Sequence, residues 1–167
     1  MSYILKVIPD NLKTQIAIYL FRKAIYINKF LQNRDALFYP KYLEELKSMT
    51  FVKGEFISII GRDPEFVILI MDGVIQNMHT NRYYEAGNMV NHDFVVLGIP
   101  MQYSLLAYTQ VNILTFSAAI FLQILDQFPD ANEEIQCMIK EKREIYNTEE
   151  FLNLQFMNDA VRIHIIN

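Results

Sequence analysis

Apolar side chains recur at helical spacing in the first part of the chain. They fall at i, i+4, i+7 and i+8, at Leu12, Ile16, Tyr19 and Leu20. Asp10 stands just before this pattern, and aspartate favours the N-cap position because its carboxylate accepts a bond from a free backbone amide. We therefore predict a helix capped by Asp10 that turns this apolar face inward. A second helical piece follows through Ile25 to Leu31.

A short helix and then a series of strands are predicted next. Pro40 suits the first turn of a helix, whose apolar face is supplied by Tyr42, Leu43 and Leu46. After Lys47 the chain changes to short runs rich in valine, isoleucine and phenylalanine, which are typical of strands. The runs are 51–60, 66–74, 74–78, 82–84, 103–108 and 111–116. Asp72-Gly73 and Thr109-Gln110 predict tight hairpins, and His79-Thr80-Asn81 predicts another turn.

Helical periodicity returns near the C-terminus. Residues 118–127 carry an apolar face that stops at Pro129, and an amphipathic pattern continues from Asp130 to Tyr146. The tail from Thr148 to Asn167 has both packing residues and strand-like alternation, so its structure stays open. We predict an α+β fold: an antiparallel β-roll, a jelly-roll barrel of about eight strands, with N-terminal helices and two C-terminal helices.

Composition narrows the function. The 167 residues carry a net charge of −4, which disfavours nucleic acid and anionic membrane surfaces as partners because both require a basic field. The single cysteine, Cys137, and the lack of a signal-like start predict a cytosolic compartment. No charged residue lies between Asp93 and Asp126, but interspersed glutamines and strand-like alternation predict a buried strand pair followed by a helix, not a membrane span.

The sequence offers little for catalysis or metal binding. It contains no glycine-rich phosphate loop, no nucleophile elbow and no paired metal-binding histidines. The acidic pairs Glu133-Glu134 and Glu149-Glu150 stand near predicted helix starts, where carboxylates are favoured by the helix dipole. His92 is a lone histidine, and we interpret it as structural or solvated. We predict a protein that is not an enzyme and holds no metal.

Several glycines and apolar runs resemble the cyclic nucleotide-binding fold. The similarity rests on Phe51-Val52-Lys53-Gly54-Glu55-Phe56-Ile57, on Gly61, and on the apolar strand 66–72 that ends in Gly73-Val74. It continues at Gly87 and at the helix end formed by Phe121, Leu125, Phe128 and Pro129. Upstream, the stretch from Ile8 to Leu31 looks like the linker helices that join the pore to this domain in voltage-gated-type cation channels.

This resemblance implies an organisation and a set of partners. Residues 1–32 correspond to linker-like helices, 33–146 to the β-roll with its flanking helices, and 147–167 to a tail that packs on the domain or into its pocket. The chain would be a regulatory domain on the cytoplasmic side of a membrane, joined to the pore domain of the same polypeptide in a homo-tetrameric channel. An alternative is a generic jelly-roll interaction module unrelated to channels.

In ligand-binding members of the family, a cassette between the sixth and seventh strands holds the cyclic phosphate. Its glutamate, in a Gly-Glu pair, binds the ribose, and an arginine binds the phosphate. Counting from Gly87 aligns Asn91-His92 with the Gly-Glu pair and Met101-Gln102 with the arginine and the residue after it. Both charges are missing, and no lysine or arginine occurs between Arg82 and Lys140. We therefore predict an apolar pocket, including Ile99, with no cofactor; cAMP and cGMP are disfavoured.

Two further expectations follow from the resemblance. At the glycine-equivalent position the backbone adopts positive φ, which asparagine tolerates better than most residues, so Asn91 suits it. The segment Phe151-Leu152-Asn153-Leu154 resembles the intrinsic ligand of ether-à-go-go potassium channels, which would make Phe151, Asn153 and Leu154 occupants of the pocket. Alternatively, these apolar residues cover the barrel or form an oligomer contact. A cAMP or cGMP sensor with an atypical cassette, in a channel or a Na+/H+ exchanger-like transporter, is the competing function.

Overall fold

Eight strands form two four-stranded antiparallel sheets in the computed structural model, which describes residues 9–32, 34 and 37–147. The strands are β1 Lys47–Phe51, β2 Phe56–Ser58, β3 Phe66–Asp72, β4 Ile75–Asn77, β5 Tyr83–Tyr84, β6 Met89–Val90, β7 Leu105–Ala107 and β8 Val111–Ser117. The predicted run 51–60 is not one strand, because a turn at Lys53-Gly54 separates β1 from β2. One sheet has the order β1-β8-β3-β6, and the other has the order β2-β7-β4-β5. The predicted antiparallel β-roll is confirmed.

Three helices precede the strands along the chain, two follow them, and one short helix lies between β6 and β7. They are α1 Asp10–Ile27, α2 Lys29–Gln32, α3 Phe38–Tyr42, α4 His92–Leu97, α5 Ala118–Gln127 and α6 Pro129–Asn147. One compact unit ends at Ala131, and the remainder of α6 belongs to a second unit. The tail residues Phe151, Asn153 and Leu154 lie outside the described residues.

The core of the roll is built from strands that are apolar on both faces. β3 and β8 pair from Phe66 opposite Ser117 to Asp72 opposite Asn112, with a register shift after Ile70, and residues 67–70 are fully buried. Strands with continuous valine, isoleucine and leucine can be buried on both sides, whereas alternating strands cannot. The core cluster joins both sheets: Ile57, Ile68, Ile70, Ile75, Val90, Phe94, Met101, Tyr103, Leu105, Ala107, Val111 and Ile113.

Two of the predicted hairpins are wrong. β3 and β4 flank Asp72-Gly73 but belong to different sheets, and the same holds for β7 and β8 around Thr109-Gln110. At both places the chain crosses from one sheet to the other. The two crossings touch: a Cβ on Gly73, whose φ is +88, would lie 2.2 Å from the carbonyl oxygen of Gln110. The Asp72-Gly73 turn is therefore a corner of the roll. A corner and a hairpin both require a tight turn, so the same residues are typical of both.

The third predicted turn is a true hairpin. β4 and β5 pair, with Ile75 opposite Tyr84 and Gln76 opposite Tyr83. Inside the turn, the buried Asn77 accepts bonds at Oδ1 from the amides of His79 and Thr80, at 2.9 and 3.2 Å. Side-chain acceptors of this kind stabilise tight turns by replacing a backbone carbonyl.

The first helix differs from its prediction in two respects. The N-cap position is taken by Pro9, which makes no side-chain bond, and Asp10 already belongs to the helix. Leu12 and Tyr19 of the predicted inward face are 44% and 63% exposed. Periodicity identifies the residues that share a helix face, but only packing decides whether another element covers that face. The helix ends at Ile27, and the extended backbone of its C-cap residue, Asn28, separates α1 from α2.

Aromatic rings join the short helices to the roll. Phe38 packs against Phe30, Tyr42 and Phe128 with ring centroids 5.4–6.3 Å apart, and Phe30 also contacts Phe121. The short helix predicted around Pro40 is confirmed as α3, and its predicted apolar residues Tyr42, Leu43 and Leu46 are buried. Ring pairs of this geometry add to the energy of apolar burial.

The uncharged run between Asp93 and Asp126 forms globular structure. It provides most of α4 and all of β7 and β8, and then most of α5, which begins where Ser117 Oγ accepts a bond from the amide of Ile120 at 3.3 Å. The predicted strands and helix are confirmed, although the two strands do not pair with each other. Among the described residues, no helix has the length and apolarity that crossing a bilayer requires.

Candidate functional site

The segment between β6 and β7, residues 91–102, forms the candidate site and is called the cassette here. It opens with Asn91 at φ +71, continues as α4 and ends that helix at Gly98, which has φ +62. The expectation of positive φ at Asn91 is confirmed. Asparagine can occupy this left-handed conformation with little strain, whereas a β-branched residue cannot.

The five cassette residues predicted from the sequence occupy two kinds of environment. Asn91, His92 and Met101 are 2%, 4% and 2% exposed, so all three face the interior. Ile99 and Gln102 are exposed, and Gln102 Nε2 donates to the carbonyl of Pro100 at 2.9 Å. Only Asn91 and Met101 line the cavity described below, and the structure does not bring Ile99 to it.

The cassette helix is held by packing against the core. The ring of Phe94 meets that of Tyr103 edge-on, with centroids 5.0 Å apart, and both rings belong to the core cluster. The amide of Val95 donates to the carbonyl of Asn91 at 3.2 Å, and the amide of Ile99 donates to that of Phe94 at 3.2 Å. These contacts are made within the protein itself, and apolar burial stabilises the cassette helix.

The loop between β2 and β3 closes against the end of the cassette. The amide of Met101 donates to the carbonyl of Arg62 at 2.8 Å, and the amide of Gly61 donates back to the carbonyl of Met101 at 2.8 Å. The amide of Ile60 donates to Ser104 Oγ at 3.0 Å. This reciprocal pairing places Arg62 beside the position that, by resemblance, an arginine of the cassette would occupy.

A cavity of about 170 Å³ lies between this loop and the cassette. Its wall combines six apolar residues with three charged and two uncharged polar ones: Phe56, Ile57, Ser58, Ile59, Arg62, Asp63, Pro64, Glu65, Phe66, Asn91 and Met101. Two carboxylates thus accompany one guanidinium. Pockets for drug-sized ligands and cofactors usually measure about 300–1,000 Å³, so this cavity suits a smaller molecule.

Sequence reasoning missed the charged residues of this cavity. Arg62, Asp63 and Glu65 stand between the predicted strand runs 51–60 and 66–74, in a stretch that has the pattern of an ordinary connecting turn because Gly61 and Pro64 punctuate it. The available signal was the concentration of three charges in one short loop between apolar strands. Loops that a rigid scaffold positions often carry binding residues, and that rule would have favoured them.

The first helix ends against Gly87, which precedes the cassette in the chain. Asn28 is buried and donates from Nδ2 to the carbonyl of Gly87 at 3.1 Å. A Cβ on Gly87, which has φ +92, would lie 2.6 Å from the carbonyl oxygen of Ile27. The amide of Gly87 also donates to the carbonyl of Ile70 in β3 at 2.9 Å. Gly87 thus joins α1, the central sheet and the strand that leads into Asn91.

The described residues contain no cluster of three or more histidine, cysteine, aspartate or glutamate side chains that could hold a metal ion. His92 is buried next to Asp93, and both have partners within the fold. The site offers apolar contact, a buried amide and three charged residues at a small cavity.

Comparison with known proteins identifies the fold. No protein-family model and no curated protein matches the sequence. The structure is similar to that of cAMP-bound PfPKA-R, with a TM-score of 0.69 and 14% identity, over 80% of this chain and 48% of that one. It is also similar to PKAR CBD2 bound to Sp-2Cl-cAMPS, with a TM-score of 0.68 and 16% identity, over 83% of this chain and 92% of that one.

These similarities confirm one part of the predicted resemblance. The chain has the two-sheet β-roll of cAMP-binding domains. It spans about half the length of the PfPKA-R chain that it matches. At such low identity the likeness shows the fold alone.

Proposed function

We propose that this chain is a non-catalytic regulatory domain that keeps the cyclic nucleotide-binding fold without holding a cyclic nucleotide tightly. The observation that carries the proposal is the environment of Met101. Its apolar side chain is buried where the resemblance expects the phosphate-binding arginine, and its backbone is already paired with the β2–β3 loop. The cavity beside it has more acidic than basic side chains, which opposes a phosphate.

The missing charges weaken nucleotide binding by a large factor. One charge-assisted hydrogen bond contributes about 1.5–3 kcal/mol, so losing both the glutamate and the arginine costs about 3–6 kcal/mol. This range corresponds to about two to four decades in Kd. A site of about micromolar affinity would then bind at about 0.1–10 mM.

We further propose that the domain belongs to an ion channel, selective for potassium or for cations, and acts on the cytoplasmic side of the membrane. The pore domain of the same polypeptide is its partner, and the parent channel is a homo-tetramer. This proposal is supported by the resemblance of residues 8–31 to linker helices. It is also supported by the bond from Asn28 to Gly87, through which a displacement of the segment that leads into the cassette would reach α1.

A cAMP or cGMP sensor with an atypical cassette is the second candidate, in a channel or a Na+/H+ exchanger-like transporter. Arg62 favours it, because this residue lines the cavity and its carbonyl accepts a bond from the amide of Met101. An arginine supplied by the neighbouring loop would replace the one missing from the cassette. Asp63 and Glu65 oppose this role, since they line the same cavity and offset the positive charge.

Titration with a fluorescent cAMP analogue distinguishes the two candidates. We expect a Kd weaker than about 100 μM for the full chain, from the loss of two charge-assisted bonds. A Kd tighter than about 10 μM would refute the leading proposal. In that case Arg62→Gln tests the second candidate, because an Arg62-dependent site loses about tenfold or more in affinity without the guanidinium.

A restored charge provides a complementary test. Met101→Arg should strengthen binding of the analogue by about tenfold or more, equivalent to one charge-assisted bond. Gln102→Arg is the matched control, because it adds the same charge at the adjacent, exposed position. Urea unfolding checks that both variants remain folded. Equal gains for the two variants, or no gain for a folded Met101→Arg, would contradict the role assigned to position 101.

A further inference from the structure

Positive and negative charges are unevenly distributed along this chain. Residues 10–34 contain five lysines and arginines and one acidic residue, Asp10. Residues 35–167 contain nine lysines and arginines and eighteen acidic residues. The net charge of −4, from which an anionic membrane is disfavoured as a partner, averages over this asymmetry. An opposite balance of charge in two parts of one chain is typical of proteins whose basic part binds a nucleic acid or a membrane.

The basic part of the chain forms α1 and α2, and α1 leaves one of its faces open to solvent. Side chains at i, i+3, i+4 and i+7 share one face of a helix. Tyr19, Arg22, Lys23 and Tyr26 have this spacing, and all four are exposed, Tyr19 to 63% and Tyr26 to 79%. Ala24, on the opposite side of the helix, is only 1% exposed. This exposed face of α1 is therefore available to a partner.

The exposed face of α1 combines apolar and basic side chains. Leu12 and Ile18, which are 44% and 39% exposed, extend it toward the start of the helix. The guanidinium of Arg22 lies 4.7 Å from the centre of the Tyr19 ring. Neither Arg22 nor Lys23 forms an ion pair with a carboxylate among the described residues. The face therefore offers two cations, two aromatic rings and two aliphatic side chains.

An anionic lipid bilayer fits both kinds of side chain at once. Lysine and arginine are attracted by acidic headgroups, and their long aliphatic stems let the charge reach those headgroups. Tyrosine is enriched where a membrane meets water, because its ring is apolar and its hydroxyl is polar. A nucleic acid would bind the two cations but would leave Leu12 and Ile18 in water. The acidic remainder of the chain is repelled by the same bilayer, which turns α1 toward it.

From these observations we infer that the exposed face of α1 binds the surface of an anionic membrane. The helix lies parallel to the surface, with Tyr19 and Tyr26 between the lipid headgroups and with Arg22 and Lys23 beside the negative charges of those headgroups. The inference goes beyond the proposed function, because it depends on α1 and not on the cassette.

Co-sedimentation with lipid vesicles tests the inference on the full chain. One set of vesicles contains phosphatidylcholine and phosphatidylserine, and the control set contains phosphatidylcholine alone. We expect at least about tenfold stronger partitioning onto the anionic vesicles, and most of this gain should disappear at about 1 M salt, where the screening length falls to about 3 Å. Equal partitioning onto the two sets, or none onto the anionic vesicles, would overturn the inference.

Two pairs of substitutions with the same change of charge locate the contact. A basic residue close to an anionic membrane strengthens binding by about fivefold, so Arg22→Gln combined with Lys23→Gln should weaken partitioning by about 25-fold. Lys47→Gln combined with Lys53→Gln is the matched control, because it removes two exposed charges from β1 and from the turn after it. The control pair should change partitioning by less than about twofold. Equal weakening by the two pairs would show that α1 is not the contact.

Tyr26→Ser distinguishes a membrane from a partner that is held by charge alone. Withdrawal of about 60 Å² of the ring from water strengthens partitioning by about tenfold, and the serine variant should lose this factor. Unchanged partitioning of Tyr26→Ser would refute insertion of the face. If the vesicles are not bound and ultracentrifugation shows a dimer that Tyr26→Ser abolishes, the face belongs to a second copy of the chain and the inference fails.

Titration with the cAMP analogue reports on the cassette and not on α1. Tight binding of the analogue therefore refutes the proposed function without affecting the vesicle result. Absence of vesicle binding, with weak binding of the analogue, refutes only the membrane contact.

Discussion

Replacing Gly87 by alanine tests the contact between the end of α1 and the segment that leads into the cassette. Gly87 has φ +92, and an added Cβ would approach the carbonyl oxygen of Ile27 to 2.6 Å. Gly54 provides a matched control, because its φ is +90 and a Cβ there would meet nothing within 4 Å. Both substitutions therefore impose nearly the same backbone strain, and only Gly87→Ala also pushes against the end of α1.

The expected losses of stability follow from the backbone strain and from the steric contact with α1. A non-glycine residue at positive φ costs about 1–2 kcal/mol, so Gly54→Ala should lower the free energy of unfolding by that amount. A contact of 2.6 Å with a backbone atom forces a shift of the chain, and overpacking of this kind costs about 1–3 kcal/mol more. Gly87→Ala should therefore lower the free energy of unfolding by about 2–5 kcal/mol.

Urea unfolding of the full chain measures the difference. With a slope of about 2 kcal/mol per molar urea, the two midpoints should differ by about 0.5–1.5 M. Asn28→Ala adds a second measurement, because it removes the bond to Gly87 without changing any φ. If Asn28 and Gly87 belong to one contact, Asn28→Ala lowers the free energy of unfolding by less in the Gly87→Ala background than in the unsubstituted chain. Equal midpoints for the two glycine variants, or full additivity with Asn28→Ala, would refute the contact.

Two further predictions concern the cassette and the tail. Asn91→Val should destabilise the chain by about 1–3 kcal/mol relative to Asn91→Gly, because a β-branched residue is strained at φ +71; equal urea midpoints would argue against this conformation. Occupation of the pocket by Phe151, Asn153 and Leu154 predicts that truncation after Tyr146 lowers stability and strengthens binding of cAMP. A truncated chain with unchanged stability and affinity would rule out self-occupancy.

Local sequence signals predicted the elements well because they depend on neighbouring residues. The apolar run 66–72 became the buried strand β3, and the pattern after Ser117 became α5. The same signals could not choose between a hairpin and a corner at Asp72-Gly73. That choice depends on which sheet each strand joins, and Gly73 is required there by its close approach to Gln110, a residue far away in the sequence.

The candidate site also combines features that the local sequence predicted with features that only tertiary contacts decided. Alignment on Gly87 located the cassette, identified the missing charges and predicted positive φ at Asn91, because each of these is a property of one short segment. It did not predict that Ile99 would be exposed. It also did not predict that Arg62, Asp63 and Glu65 would line the cavity, since only the pairing of Met101 with the β2–β3 loop brings them there.

The sequence by itself therefore determined most of the strands and the longer helices, the position of the cassette and the absence of its two expected charges. These features follow from propensities and periodicities that act over a few residues. The tertiary structure decided which sheet each strand joins, which face of α1 is exposed, and which charges surround the cavity. Those outcomes depend on contacts between distant segments, where packing and backbone hydrogen bonds override any local preference.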